Sequence, residues 1–340
     1  MTRREYVIKA LRHEETELLP YHIDCTNQSH ENLTKYTGDS LYTEKMGCYL
    51  HSVHYGGWPT EITGKPGFFK DDYGVIWNRG GVDKDIGVID HPIVVEADIE
   101  SVPELFLDED RLRRDIEAVL ATAEDKFVYA GIGFSLFERY WSYCGMEDAL
   151  AYMITDPEFT HALLDRICDY NLKIIDIFNE YPFDGVYFGD DWGQQKGLIM
   201  GPELWRTFIK PRIAKMYARA KKNGKFILQH SCGDIYQIFG DLIEIGLDCY
   251  QTFQPEIYDI VEVKKEFGDK LAFWGGISTQ RLLPFATPEK VKEETRRIIE
   301  ILKQGGGYIA GPTHALTFDI PSENIIAMLE VFKEYGAKQL

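Results

Sequence analysis

Asn223-Gly224-Lys225-Phe226-Ile227-Leu228-Gln229-His230-Ser231-Cys232-Gly233 runs from a helix stop, through a buried strand, into a polar turn. Asn-Gly closes the helical pattern of residues 202–223, because glycine tolerates the left-handed conformation that ends a helix. The apolar run that follows reads as a short buried strand. His230 and Cys232 are two apart where that strand ends, so both can face one point. An imidazole nitrogen and a thiolate sulfur together suit Zn²⁺. Two ligands do not hold a metal, so further donors have to come from elsewhere in the chain.

The same alternation recurs along the sequence. Short apolar runs at 18–24, 50–54, 127–132, 185–189, 226–230, 248–252, 271–274 and 307–310 read as strands. Amphipathic patterns at 108–123, 157–179, 202–223, 235–245, 257–267, 288–303 and 322–335 read as helices between them. Pro157, Pro202 and Pro288 stand at helix starts, where a missing N–H costs little. Strands alternating with helices in this way predict an α/β fold, a (β/α)8 TIM barrel with N-terminal helices. A doubly wound sheet is the rival, but no Gly-x-Gly-x-x-Gly follows an early strand. Residues 64–92 break the pattern. Their Tyr73-Gly74-Val75-Ile76-Trp77 and 86–89 pieces predict a β-hairpin insertion near the barrel mouth. The expectation is one barrel domain over residues 1–340.

Composition narrows the class of partner. The 340 residues carry a formal net charge of -18. Such a surface repels phosphate backbones, so neither nucleic acid nor an anionic membrane is expected to bind. No apolar run approaches the roughly 20 residues that span a bilayer. Met1-Thr2-Arg3-Arg4-Glu5 leads into no long apolar segment of the signal-peptide type. Six cysteines at irregular spacing form no disulfide framework, and a cytoplasmic location is the expectation.

In a barrel of this kind the active site lies at the C-terminal ends of the strands. Polar residues gather there: His22 and Asp24, Phe134 to Glu138, Asp190 to Gln194, His230 and Cys232, Gln254 and Glu256, and His314. The candidate metal ligands are His230, Cys232 and His314, with Glu256 as a fourth, following the pattern of three protein ligands and one open position. The alternative is a hydrogen-bonded core histidine beside a small buried cysteine. Asp190, Asp191 and Glu138 are the candidate acids, bases or substrate-orienting groups. Against that, the aspartates also read as helix caps, and Glu138 equally as the ion-pair partner of Arg139. His22 and Asp24 line the floor of the site or pair with one another. Phe134 and Trp192 offer an apolar wall for a flat substrate, with Gln194 beside them.

These motifs resemble the uroporphyrinogen decarboxylase superfamily across nearly the whole chain. The resemblance rests on Gly189-Asp190-Asp191-Trp192-Gly193-Gln194 with Pro202-Glu203-Leu204-Trp205, on His230-Ser231-Cys232-Gly233 and on Gly275-Gly276-Ile277. It continues through Pro312-Thr313-His314 to Ile320-Pro321-Ser322-Glu323-Asn324. It implies a (β/α)8 barrel and two possible chemistries. True decarboxylases of the superfamily carry an Arg-Gln-x-Gly-Arg loop after the first strand. Here that stretch is His22-Ile23-Asp24-Cys25-Thr26-Asn27-Gln28, without arginine. His230-x-Cys232 is instead similar to the zinc motif of the corrinoid-linked methyltransferases, whose third ligand is a cysteine from the last strand's loop. This chain has His314 there. One thiolate in place of two leaves a more Lewis-acidic metal, suited to a leaving oxygen.

The resemblance therefore implies a methyltransferase of the O-demethylase type. It would move methyl from a methylated small molecule, an aryl methyl ether first, to Co(I) of a separate corrinoid protein. Zn²⁺ and corrinoid are the implied cofactors, and a homodimer is common in the superfamily. The other readings are a metal-independent decarboxylase of a small carboxylic acid, and a methyltransferase with a coenzyme M or homocysteine type of thiol acceptor.

Overall fold

The protein, seen in a computed structural model, is described at residues 1–80 and 88–336. Parallel strands alternate with helices in the order of a (β/α)8 TIM barrel, preceded by two N-terminal helices and interrupted by an antiparallel insertion. The chain packs as two compact units, residues 1–51, 122–128 and 247–340 in the first, and residues 52–121 and 129–246 in the second.

In the first unit, helix Arg3–Leu11 starts at a capping box, with Thr2 and Glu5 each accepting the other's backbone N–H. Helix Asn27–Thr37 is capped by Thr26 and closed by left-handed Gly38. Strands Cys249–Phe253, Ala272–Ile277 and Tyr308–Pro312 run parallel, with Trp274 level with both Gln251 and Ile309. Helices Pro288–Leu302 and Ser322–Gly336 pack together. Ion pairs Lys292–Glu330 and Arg296–Glu334 (2.7 Å) fasten their exposed edges.

The expected strand at 18–24 is reduced to one parallel bridge, Tyr21 with Ala310. Ala310 donates to the Pro20 carbonyl and accepts from the His22 N–H, both at 2.9 Å. Pro20 has no N–H with which to extend that ladder.

In the second unit, Tyr129 to Ile132, Gly185–Gly189 and Phe226–His230 run parallel, with Gly131 level with Tyr187 and Gly189 level with His230. Alternate residues face opposite ways. Phe188 packs on Tyr217 of helix Lys210–Ala220 at 5.3 Å, and the Tyr217 hydroxyl donates to Gln229 at 2.6 Å. Phe188 and Gln229 therefore face the helices, and Tyr187, Gly189 and His230 face the barrel interior. The expected helix at 202–223 exists but is broken by a π-helical turn at Trp205–Ile209.

The insertion is larger than a hairpin. Strands Thr60–Glu61, Phe68–Lys70, Ile76–Asn78 and Val88–Ile89 form an antiparallel meander. Of the expected 86–89 piece, Ile86 and Gly87 lie outside the described residues. Tyr73 and Gly74 form a turn rather than a strand, because Asp71 accepts from the N–H groups of Tyr73 and Val75. Among the described residues no helix is long and apolar enough to cross a membrane.

Candidate functional site

His230 ends its strand facing the barrel interior. Its Nε2 lies 3.5 Å from Cys232 Sγ and 3.3 Å from Asp191 Oδ1. The same Asp191 oxygen accepts the Cys232 backbone N–H at 2.7 Å. One carboxylate thus fixes both the imidazole and the turn that carries the thiol. Burial opposes charge on His230, yet Cys232 and Asp191 outweigh it and hold the imidazole well above its ordinary pKa. Burial opposes charge on Asp191 as well, but His230 and the Cys232 N–H pull that carboxylate down to about 2. Burial pushes the Cys232 thiol up.

Two glycines let this turn form. A Cβ on Gly193 would stand 2.6 Å from the Gly233 carbonyl carbon, and one on Gly233 would collide with the Gly193 carbonyl carbon. Gly233 also has a left-handed φ of 79°. The Asp-Asp-Trp-Gly-Gln turn and the His-Ser-Cys-Gly turn therefore lie backbone to backbone, pinned by Asp234 N–H to Gln194 oxygen at 2.8 Å. Ser231 adds a link by accepting the Trp192 N–H at 2.9 Å.

Asp190 has a different setting. It is fully buried and accepts the N–H groups of Leu136, Phe137 and Glu138 together with Trp192 Nε1 at 2.6 Å. It caps helix Phe137–Cys144 from a distant part of the chain, and its oxygens are committed. Burial nevertheless lifts its pKa to about 6. Trp192 is buried between Asp190 and Trp205 (5.4 Å), so its ring offers no wall to a substrate. Gln194 is exposed in a two-residue strand.

Glu138 is buried beside both aspartates. Burial first, then Asp191 and Asp190, push its pKa well above the usual carboxylate range. The expected partner Arg139 points elsewhere, into a buried ion pair with Asp71 at 2.7 Å. Phe134 takes a left-handed φ of 50° and packs on Trp77 of the insertion at 5.3 Å and on Trp141 at 5.9 Å.

The remaining candidates belong to the first unit. His22 pairs with Asp24 at 3.0 Å and meets the Trp274 ring edge-on at 5.5 Å. Glu256 accepts the Ser278 hydroxyl and lines a cavity of about 450 Å³ with Arg281, Leu282 and Phe285. Gln254 is buried, and His314 is exposed in the loop after strand Tyr308–Pro312. The sequence reading did not single out Tyr187, which adjoins His230 at 6.2 Å, or His54, which meets Tyr187 at 5.4 Å. Period-two alternation counted back from His230's neighbour Gly189 marks Tyr187 as inward-facing.

A profile described as uroporphyrinogen decarboxylase (URO-D) matches residues 81–335. The chain belongs to the uroporphyrinogen decarboxylase family. Within the family it is similar to a methylated-thiol–coenzyme M methyltransferase of Methanosarcina mazei, 25% identical over 56% of this chain and 48% of that one. It is 30% identical to the methylcobamide:CoM methyltransferase MtaA of Methanosarcina barkeri, over 41% of this chain and 39% of that one. A uroporphyrinogen decarboxylase of Psychromonas ingrahamii is 25% identical over 50% and 46%. The chain thus spans less than half the length of each of these curated relatives. A solved methyltransferase from Methanosarcina mazei has the same fold, with a TM-score of 0.74 at 17% identity over 99% of this chain and 100% of that one.

Proposed function

We propose that this family member is a zinc-dependent methyltransferase. It takes methyl from a methylated small molecule, an aryl methyl ether in the first reading, and passes it to Co(I) on a corrinoid protein. The observation that carries the reading is the 3.5 Å between His230 Nε2 and Cys232 Sγ. Zn–N of about 2.1 Å and Zn–S of about 2.3 Å at a tetrahedral angle require roughly 3.6 Å between those atoms. The two donors already stand at the edge length of a zinc tetrahedron. His230, Cys232 and His314, each offering one ligand atom, are the proposed protein ligands, with the fourth position open. Glu256 is left out, because the cluster of donor atoms is made by the other three alone.

Zinc bound there would act as a Lewis acid toward the leaving oxygen. Asp191 sets the direction of His230 and the height of Cys232. Glu138, buried beside both aspartates, is the proposed general acid for the alkoxide or phenoxide that departs as methyl moves to cobalt. Asp190 positions Glu138 by capping its helix. The absence of a cation loop after the first strand supports methyl transfer over decarboxylation of a polycarboxylate.

The test is elemental analysis and methyl transfer on the same samples. Near-stoichiometric zinc, lost in H230A, C232A and H314A, together with methylation of a Co(I) corrinoid protein by an aryl methyl ether, is the expected result. Absence of zinc after reconstitution would sink the reading. A second reading, transfer to a thiol such as coenzyme M, is favoured by the names of two relatives. It replaces the first if zinc is bound but methylcobalamin methylates the thiol and ethers are inert.

A further inference from the structure

The barrel interior beside His230 is furnished in an unusual way. Barrel interiors are ordinarily filled by branched apolar side chains. Here the second unit presents His54, Gly131, Tyr187, Gly189 and His230 on that face. The two glycines contribute no side-chain volume where one strand layer would normally fill the space. His54 is exposed and Tyr187 half-buried, whereas Tyr129 beneath them is buried.

The rings are held at fixed angles. His54 meets Tyr129 at 5.5 Å and 87°, and Tyr187 at 5.4 Å and 82°, both edge-to-face. Tyr187 in turn stands 6.2 Å from His230, tilted by 49°. The His54 ring lies in a notch made by Gly131, since a Cβ there would come within 2.6 Å of its Cε1. An alanine at 131 would push the imidazole out of the notch and remove the prop from Tyr187. Tyr187 is thus a partly exposed aromatic face, supported on one side and adjoining His230 on the other. Aromatic rings prefer offset or edge-to-face partners at such spacings, and flat ligands gain most from them.

We propose that Tyr187, propped by His54 in the notch over Gly131, seats the planar aromatic body of the methyl donor beside His230. The choice of donor rests on the aryl ether reading above, whereas the seat itself is a matter of binding. Tyr187 is a substrate-binding residue in this account, and His54 and Gly131 are positioning residues.

Calorimetric titration of the zinc-loaded protein with methoxybenzene, phenol and cyclohexanol tests the seat without any turnover. Wild type should bind the two planar probes about tenfold tighter than cyclohexanol, and Y187F should keep that preference. Y187L and G131A should lose about tenfold in affinity for the planar probes, with zinc content unchanged. H54A, altered at an exposed position, gives the same answer if Y187L does not fold. Equal binding of cyclohexanol, no binding of planar probes, or wild-type affinity in Y187L and H54A would overturn the proposal. Tight, Tyr187-dependent binding of methoxybenzene without methylation of Co(I) would instead overturn the ether reading and leave the seat standing.

Discussion

Neighbouring carboxylates 190 and 191 are bound in different ways. Asp190 gathers three backbone N–H groups and one indole N–H, whereas Asp191 spans His230 and the Cys232 N–H. Asp190→Ala strands four buried donors, and the expected cost is about 3 kcal/mol or more in chemical denaturation. Asp191→Asn keeps a hydrogen-bonding side chain but gives up the charge that orients His230. Folding should be little changed, while zinc affinity in competition with a chelator should fall by about tenfold or more. Equal zinc retention in D191N would show that the ligand pair needs no such support. The paired acids were legible in the sequence as candidates, but their division of labour was not. It depends on Leu136, Phe137 and Glu138 arriving from a part of the chain that no local pattern connects to Asp190.

Helix Phe137–Cys144 shows why some segments escape a periodicity reading. Every position except Trp141 is buried, Glu138 and Arg139 included, so no polar face marks it as a helix. The long helix Pro157–Asn179, with a starting proline and a clear apolar stripe, was legible to its ends. The strands carrying His230 and Gly189 were legible too, because apolar runs ending in polar turns survive whatever surrounds them. The insertion was legible as a hairpin, and the antiparallel pairing of Ile76–Asn78 with Val88–Ile89 matches it, but its two further strands and its anchor, the Asp71–Arg139 pair, were not. Both side chains are 1% exposed, and Asp71 also takes Trp77 Nε1 at 2.9 Å. Arg139→Met leaves the Asp71 charge buried without its partner and should cost about 3–5 kcal/mol. Faster hydrogen exchange in residues 60–78 is the local signature that separates this from a general loss of stability. The glycine interlock makes the companion case. Gly233→Ala forces a left-handed backbone and a collision with Gly193, so zinc binding should be lost along with about 2 kcal/mol of stability.

A half-buried lysine of the first unit shapes the response of the folded chain to alkaline pH. Lys264 is largely enclosed and donates to the Gly306 carbonyl at 2.6 Å. Burial pushes its ammonium down to about 8. An unfolded chain keeps that proton until about pH 10. Between those values the unfolded state therefore binds more protons than the folded one, and stability rises with pH across the window. Below pH 8 both states are protonated and the folded state bears the full cost of the buried charge. The chain's own acidity works the other way, because a formal charge of -18 grows more negative as tyrosines and lysines titrate. The Lys264 contribution is isolated by comparing wild type with Lys264→Met. The methionine variant should be the more resistant to denaturant at pH 7, and wild type should gain about 2 kcal/mol on it by pH 10. A stability difference that stays level from pH 7 to pH 10 would mean that Lys264 holds its proton like an exposed lysine, reaching water despite its enclosure.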